Sequence, residues 1–216
     1  GAESELAAEA PEIADAFAAD KSIAVLPFAD MSPDGDQEYF SDGLSEELLN
    51  LLAKVPELRV AARTSAFSYK GKDIKIDQVG QELGVAHVLE GSVRTSGNRI
   101  RVTAQLIKAE DGFHLWSDTF DRTLDDVFAI QDEIASSVVS ALKVTLLGEA
   151  LHASETDPEA YALYLQARHL SNQLTEENFS RAVDLFKQVL EADPGYAPAW
   201  AGLARNYRNM TVTGQL

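Results

Sequence analysis

The 216-residue chain predicts an α/β fold: a three-layer domain around a five-stranded mixed sheet, followed by an all-α repeat segment. Three observations carry that expectation. Residues 87–122 contain three consecutive β-runs joined by Ser96-Gly97-Asn98 and Asp111-Gly112, both rich in turn formers. Ahead of them, apolar strand-like runs alternate with amphipathic helical ones, the pattern of β-α-β units. From Pro158 onward only helical spacing remains.

Residues 2–20 carry six acidic side chains, no basic one and many alanines, with a thin apolar face (Leu6, Ile13, Phe17) that Pro11 interrupts. They read as an acidic linker or frayed helix. Ser22-Ile-Ala-Val-Leu-Pro-Phe is too short for a helix and reads as a buried first strand, with Pro27 at its end where no ladder donor is needed. A turn-rich Asp30–Asp36 loop follows. From about Gln37 to Val55, Phe40, Leu44, Leu48, Leu51, Leu52 and Val55 form one helical face, and Pro56 stops it. Leu58-Arg-Val-Ala-Ala is the second strand, and Ile76–Leu83 a short helix closed by Gly84. Val85–Val93 begins the meander. In its middle run, Ile100, Val102, Ala104 and Leu106 fall on one face and Arg99, Arg101, Thr103 and Gln105 on the other, the period of a half-buried strand. Leu124–Leu147 is the longest helical pattern, with Asp125 and Asp126 favourable at its start and Gly148 at its end.

Right-handed crossovers and tight hairpins then place the strands in the order 2-1-3-4-5, with only the fourth antiparallel to the rest. Ligands in such sheets favour the crevice at the strand carboxyl ends where the order reverses. Asp30 and Ser32, after the first strand, and Arg63 and Ser65, in an Arg63-Thr64-Ser65 loop after the second, are the candidate ligand-binding residues there. A guanidinium beside two hydroxyls suits an anion such as phosphate, although capping of the following loop explains that trio more simply.

In the carboxyl-terminal part, Ala182, Phe186 and Pro194, then Trp200, Leu203, Ala204 and Tyr207, fall at the small, aromatic and proline positions of a tetratricopeptide repeat of roughly 34 residues. The small residues admit close helix approach, and Phe186, Trp200 and Tyr207 are expected to fill the gap between hairpins. The first repeat fits loosely at Tyr161, Tyr164 and Ala167, with an enlarged Asn172–Asn178 turn. Residues 151–216 are thus expected to start a longer array that binds protein or peptide, with Tyr164, Arg168 and Arg205 as candidate contact residues. The sheet domain is expected over residues 21–150.

Composition bounds the chemistry. A formal net charge of −17 argues against nucleic acid or anionic lipid as a partner of this region. The absence of cysteine excludes disulfides and thiolate chemistry. No window approaches the roughly 18 apolar residues of a membrane span, so membrane contact is expected only through a segment upstream of Gly1. Asp30, Ser32, Asp34 and Gly35 begin like a calcium loop, but position twelve, normally a bidentate Glu, is Ser41. Gly43-Leu-Ser starts like a nucleophile elbow but lacks the closing glycine. His87, His114, His152 and His169 show no metal-ligand spacing. No catalytic residue, metal or cofactor is expected, and the oligomeric state is open.

The blocks Ser22-Ile-Ala-Val-Leu-Pro-Phe, Gln37-Glu-Tyr-Phe-Ser-Asp-Gly-Leu, Leu89-Glu-Gly-Ser-Val-Arg, Ala104-Gln-Leu-Ile and His114-Leu-Trp closely resemble the TolB-like amino-terminal domain of bacterial regulators. The resemblance covers about Lys21 to Leu147. It implies a non-catalytic regulatory or sensory role, a mixed α/β sheet, tetratricopeptide repeats behind it, and a signalling domain ahead of it such as an adenylate cyclase. It also favours an extracytoplasmic, periplasmic position.

Overall fold

The computed structural model describes residues 21–33, 35, 37–142 and 154–212. The expectations for the acidic 1–20 segment and for the end of the long helix beyond 142 lie outside the described residues.

The elements run β1 (Ser22–Val25), β2 (Ala29–Asp30), α1 (Glu38–Leu52), β3 (Arg59–Val60), α2 (Arg63–Phe67), α3 (Ile76–Leu83), β4 (His87–Ser96), β5 (Arg99–Lys108), β6 (His114–Thr123), a 3-10 turn (Leu124–Asp126), α4 (Val127–Ala141), α5 (Pro158–Asn172), α6 (Glu176–Ala192) and α7 (Ala197–Val212). The sheet order is β3-β1-β4-β5-β6, the order expected from the crossovers. β1 is parallel to β3 and β4, while β5 is antiparallel to both of its neighbours.

One strand goes beyond the expectation. β2 continues β1 along β4 after an offset: Val25 pairs with Leu89, but Ala29 pairs with Ser92. The extra residue is taken up around Pro27, which has no amide hydrogen to give the ladder. Phe28 N turns away from the ladder and donates to the buried Ser45 Oγ at 2.8 Å. The Phe28 ring needs the space over Gly91, where a Cβ would lie 2.7 Å from it and 2.2 Å from Thr103 O.

Helices α1 and α4 bury one sheet face: Ile23, Val25, Leu89, Val93 and all of Ile100, Val102, Ala104 and Leu106 belong to that core. The opposite face is covered by α2 and α3 through Ala66, Tyr69 and Val79 against Leu26 and Val88. The third layer stops there. The rows Ser92–Thr103–Thr119 and Arg94–Arg101–Asp121 are left polar and largely open. Trp116 is half-buried on the core side and tilts against Phe120 at 6.4 Å.

Local endings follow the sequence. Gly84 takes the left-handed conformation (φ 63°) that closes α3, and Val85 N bonds back to Gly80 O. Asp157 caps α5 by accepting from Glu159 N and Ala160 N, with Pro158 in the first turn. The turn between α5 and α6 is shorter than the sequence suggested, three residues, with Leu174 at φ 54°. One further expectation is revised. The Arg63-Thr64-Ser65 segment is the first turn of α2 and not a loop, because Ser65 N and Ala66 N bond back to Ala62 O. Phe186 packs between α6 and α7, lying so close to Gly202 that a Cβ there would be 2.4 Å from the ring, while Trp200 and Tyr207 are 54% and 37% exposed.

Candidate functional site: the seam between sheet and repeat

The polar residues of α1 explain how the two parts of the chain meet. Its apolar stripe faces the sheet, yet Ser41, Asp42, Gly43, Ser45 and Glu46 on its other sides are buried too. Helix α5 covers Asp42, Gly43 and Glu46, whereas Ser45 turns to Phe28 at the β1–β2 break. Gly43, unfavourable in a helix interior by about 1 kcal/mol relative to Ala, sits where Leu165 packs; a Cβ there would lie 2.4 Å from Leu165 Cδ2. Aromatic side chains extend the contact: Phe40 to Tyr161 (6.4 Å), Phe128 to Tyr161 (4.7 Å), Tyr164 to Tyr196 (5.2 Å) and Tyr164 to Phe186 (6.1 Å). Gln131 on α4 donates to the Tyr161 hydroxyl at 2.6 Å. One continuous core therefore runs from the sheet into the helical hairpin.

Beside that core lies a network of charges. Arg168 on α5 donates to both Glu46 and Glu47, which are consecutive on α1. Arg63 at the start of α2 pairs with Glu46 from the other side. Asn172 Nδ2 completes the Glu46 carboxylate at 3.2 Å, and Tyr164 is hydrogen-bonded to both Glu47 and Arg168. The side chains of Glu46, Glu47 and Arg168 are only 4%, 13% and 10% exposed. Burial pushes the Glu47 carboxyl up to about 7, against the pull of Lys54, Tyr164 and Asn50. Next to the network, burial also acts on Asp42. There the His169 and Lys70 hydrogen bonds win and hold its carboxyl below the usual range.

The structure divides the residues singled out in the sequence. Arg63, expected in a ligand crevice, joins Tyr164 and Arg168, expected on a partner-facing surface; all three meet inside the seam. Arg205 stands exposed on α7, its charge felt by Arg63 and Tyr164. Asp30 and Ser32 lie elsewhere. Burial pushes the Asp30 carboxyl up, but bonds from Ser32 and Gln37 outweigh it and hold it low, so Asp30 closes the loop into α1. Ser32 Oγ contacts Thr95 Oγ1 at 3.1 Å. Ser32, Tyr39, Thr95, Ser96 and Arg99 line a cleft of about 240 Å³ at the strand carboxyl ends. Ser65 is exposed, and its carbonyl accepts from Ser68 Oγ. Sequence reasoning missed Glu46 and Glu47. The available signal was Gly43, a glycine in mid-helix away from the apolar stripe, which admits a second helix.

Among the described residues, no group of three His, Asp or Glu is placed to hold a metal, and no helix is long and apolar enough to cross a membrane.

Fold and seam define a mixed α/β sheet domain, TolB-like in its sequence blocks, with tetratricopeptide helices docked on it. Residues 19–137 match the HilA/YgeH-like transcriptional regulator, second domain, and the chain belongs to that family. Residues 173–210 match a tetratricopeptide repeat. A curated relative, "Putative adenylate cyclase 3" of Rhizobium meliloti, is 46% identical over 187 residues, 85% of this chain; the chain spans about a third of that relative's length (32%). Solved structures with some likeness include lipoprotein GNA1162 from Neisseria meningitidis (20% identity, 59% of this chain and 99% of that one, TM-score 0.42). TolB from Acinetobacter baumannii is another (15% identity, 56% and 28%, TM-score 0.44).

Proposed function

We propose that this chain is a non-catalytic protein-interaction and regulatory region of a larger bacterial signalling protein, in which the sheet domain fixes and aims the start of a repeat array that binds polypeptide. One observation carries the reading: the first repeat helix is fastened to α1 by buried ion pairs and a shared core, so that the sheet domain sets where the repeat helices stand. Arg205 and Arg208 are exposed on α7, and arginine is a residue type enriched at interaction surfaces. The regulatory family and the relative named as an adenylate cyclase support placing the region inside a signalling protein whose enzyme, if a cyclase, lies outside these residues. An extracytoplasmic position is part of the proposal on the TolB-like resemblance, and an alkaline phosphatase fusion after Leu216 in the parent would be active if it holds.

The test is affinity capture with the parent protein, comparing wild type with Arg205→Glu/Arg208→Glu. The expected result is a defined set of polypeptides retained by wild type and lost from the variant. Retention of none by wild type would contradict the proposal. The alternative, a small-molecule or anion sensor, rests on the cleft at Ser32 and Arg99. Its volume of about 240 Å³ lies below the roughly 300 Å³ of ordinary ligand pockets, and neither Arg63 nor Ser65 reaches it, which favours the interaction reading.

A further inference from the structure

The sheet ends differently on its two sides. At one edge stands β3, two residues long, a strand too short to offer much pairing. At the other stands β6, ten residues long and without proline or lysine. Among the described residues no strand covers it. From Trp116 to Thr123 its register with β5 is unbroken, the bulge lying at Leu106/Ile107. Hydrogen bonds tell which way its amides point. Leu124 N turns inward to Asn98 O, whereas Thr119 N and Thr123 N bond to the carboxylates of Asp118 and Asp126. Antiparallel pairing alternates, so the amides of Ser117, Thr119, Asp121 and Thr123 face away from β5. We infer that two copies of this chain pair antiparallel through β6, centred on Phe120, and so make one continuous sheet.

The charges on the edge select both occupant and register. Asp118 and Arg122 stand on the side of the sheet that α4 covers: Asp118 is opposite the buried Ala104, and Arg122 lies 3.6 Å from Glu133 on α4. With Phe120 at the two-fold axis, Asp118 of each copy faces Arg122 of the other, and the pair occurs twice. Thr119 falls opposite Asp121, so the outward amides and carbonyls of both find partners. An axis at Asp118 or Asp121 sets a carboxylate against its own copy, and an axis at Thr119 leaves Asp118 facing Phe120. In the single chain, Asp118 holds Thr119 N with its own side chain. Arg122 of the second copy draws that carboxylate away and frees the amide for the ladder. The helices fit too. α4 rests over β5 and β6, and its residues that line an open groove with Leu115 and Trp116 are small: Ser136, Ser137, Ser140 and Ala141. Its twin stands roughly 10 Å away across the junction, two strand spacings, the separation of closely packed helices.

The experiment uses the whole chain at about 0.15 M salt, where repulsion between two copies of net charge −17 is screened beyond roughly 8 Å. Sedimentation is expected to show a reversible dimer. Asp118→Arg sets arginine against Arg122, and Arg122→Asp sets a carboxylate against Asp118. Each is expected to weaken self-association at least about tenfold. Mixed together, the two variants are complementary at both contacts, and the mixture is expected to dimerise, a recovery that an unfolded variant could not give. In the unsubstituted chain the amides of Thr119 and Asp121 are expected to exchange more slowly as concentration rises, while those of β3 do not. A chain monomeric up to about 1 mM, a dimer that neither variant weakens, or variants that fail to pair on mixing would overturn the inference. A monomer that captures another polypeptide, and loses it in Asp118→Arg, would assign the edge to a different partner and overturn it equally. No residue of the repeat helices enters the pairing, so its failure is distinguishable from failure of the array to bind a polypeptide.

Discussion

The chain makes the same pair of groups, arginine with carboxylate, in two settings. At the hairpin end of the sheet, Arg99 and Arg101 both reach Asp121 across β5 and β6, in open solvent. At the seam, Arg168 reaches Glu46 and Glu47 with all three side chains nearly dry. The first set is screened by water and salt, and its members hold their positions through the strand ladder whether or not they pair. The second was withdrawn from water to be made. Its value lies less in net stability than in the penalty for any docking geometry that leaves a charge unmatched. The chemistry is shared, but only the buried copy specifies how two parts of the molecule fit.

Substitutions can break that contrast in graded steps. Arg168→Met leaves two buried carboxylates short of a partner and is expected to cost about 3–5 kcal/mol in urea denaturation. Combining it with Glu46→Leu and Glu47→Leu should recover much of the loss, since apolar packing replaces buried ion pairs well. Gly43→Val pushes a side chain into Leu165 and is expected to cost about 1–3 kcal/mol, with loss of amide protection in α5 greater than in β5. Ser45→Ala strands Phe28 N at the β1 break and is expected to cost about 1–3 kcal/mol, felt in the sheet and not at the seam. Asp121→Asn, at the exposed end, is expected to leave the denaturation midpoint within experimental scatter at physiological salt, because water screens what it removes.

Much of the sheet was legible because its cues are local. The alternation at Ile100–Leu106, the Gly97 and Gly112 turns and the stop at Gly84 each fix a strand face or an element end, and crossover handedness then fixes the order. The β1–β2 break was not legible. It depends on Phe28 finding room over Gly91 and an acceptor for its amide in Ser45, residues far apart in sequence. The incomplete third layer was hidden for a similar reason: a polar strand face looks the same under solvent as under a polar helix. Of the candidate residues, Arg63, Tyr164 and Arg168 were recognisable as unusual polar groups, but their direction was not. Whether an arginine on an amphipathic helix faces a partner or its own chain depends on what docks there. That information sat in Gly43 and the two glutamates, whose meaning appears only when α5 is laid against α1.

The most direct test of the seam as the element joining sheet and repeat is a double-mutant cycle between Glu46→Gln and Arg168→Met, read by denaturant unfolding of the whole chain. The two residues lie 122 apart in sequence, so coupling between them reports the docked arrangement and nothing local. A coupling energy of about 1–3 kcal/mol is the predicted result. Additive effects, with coupling indistinguishable from zero, would show that the repeat does not rest on α1 through these charges and would contradict the account.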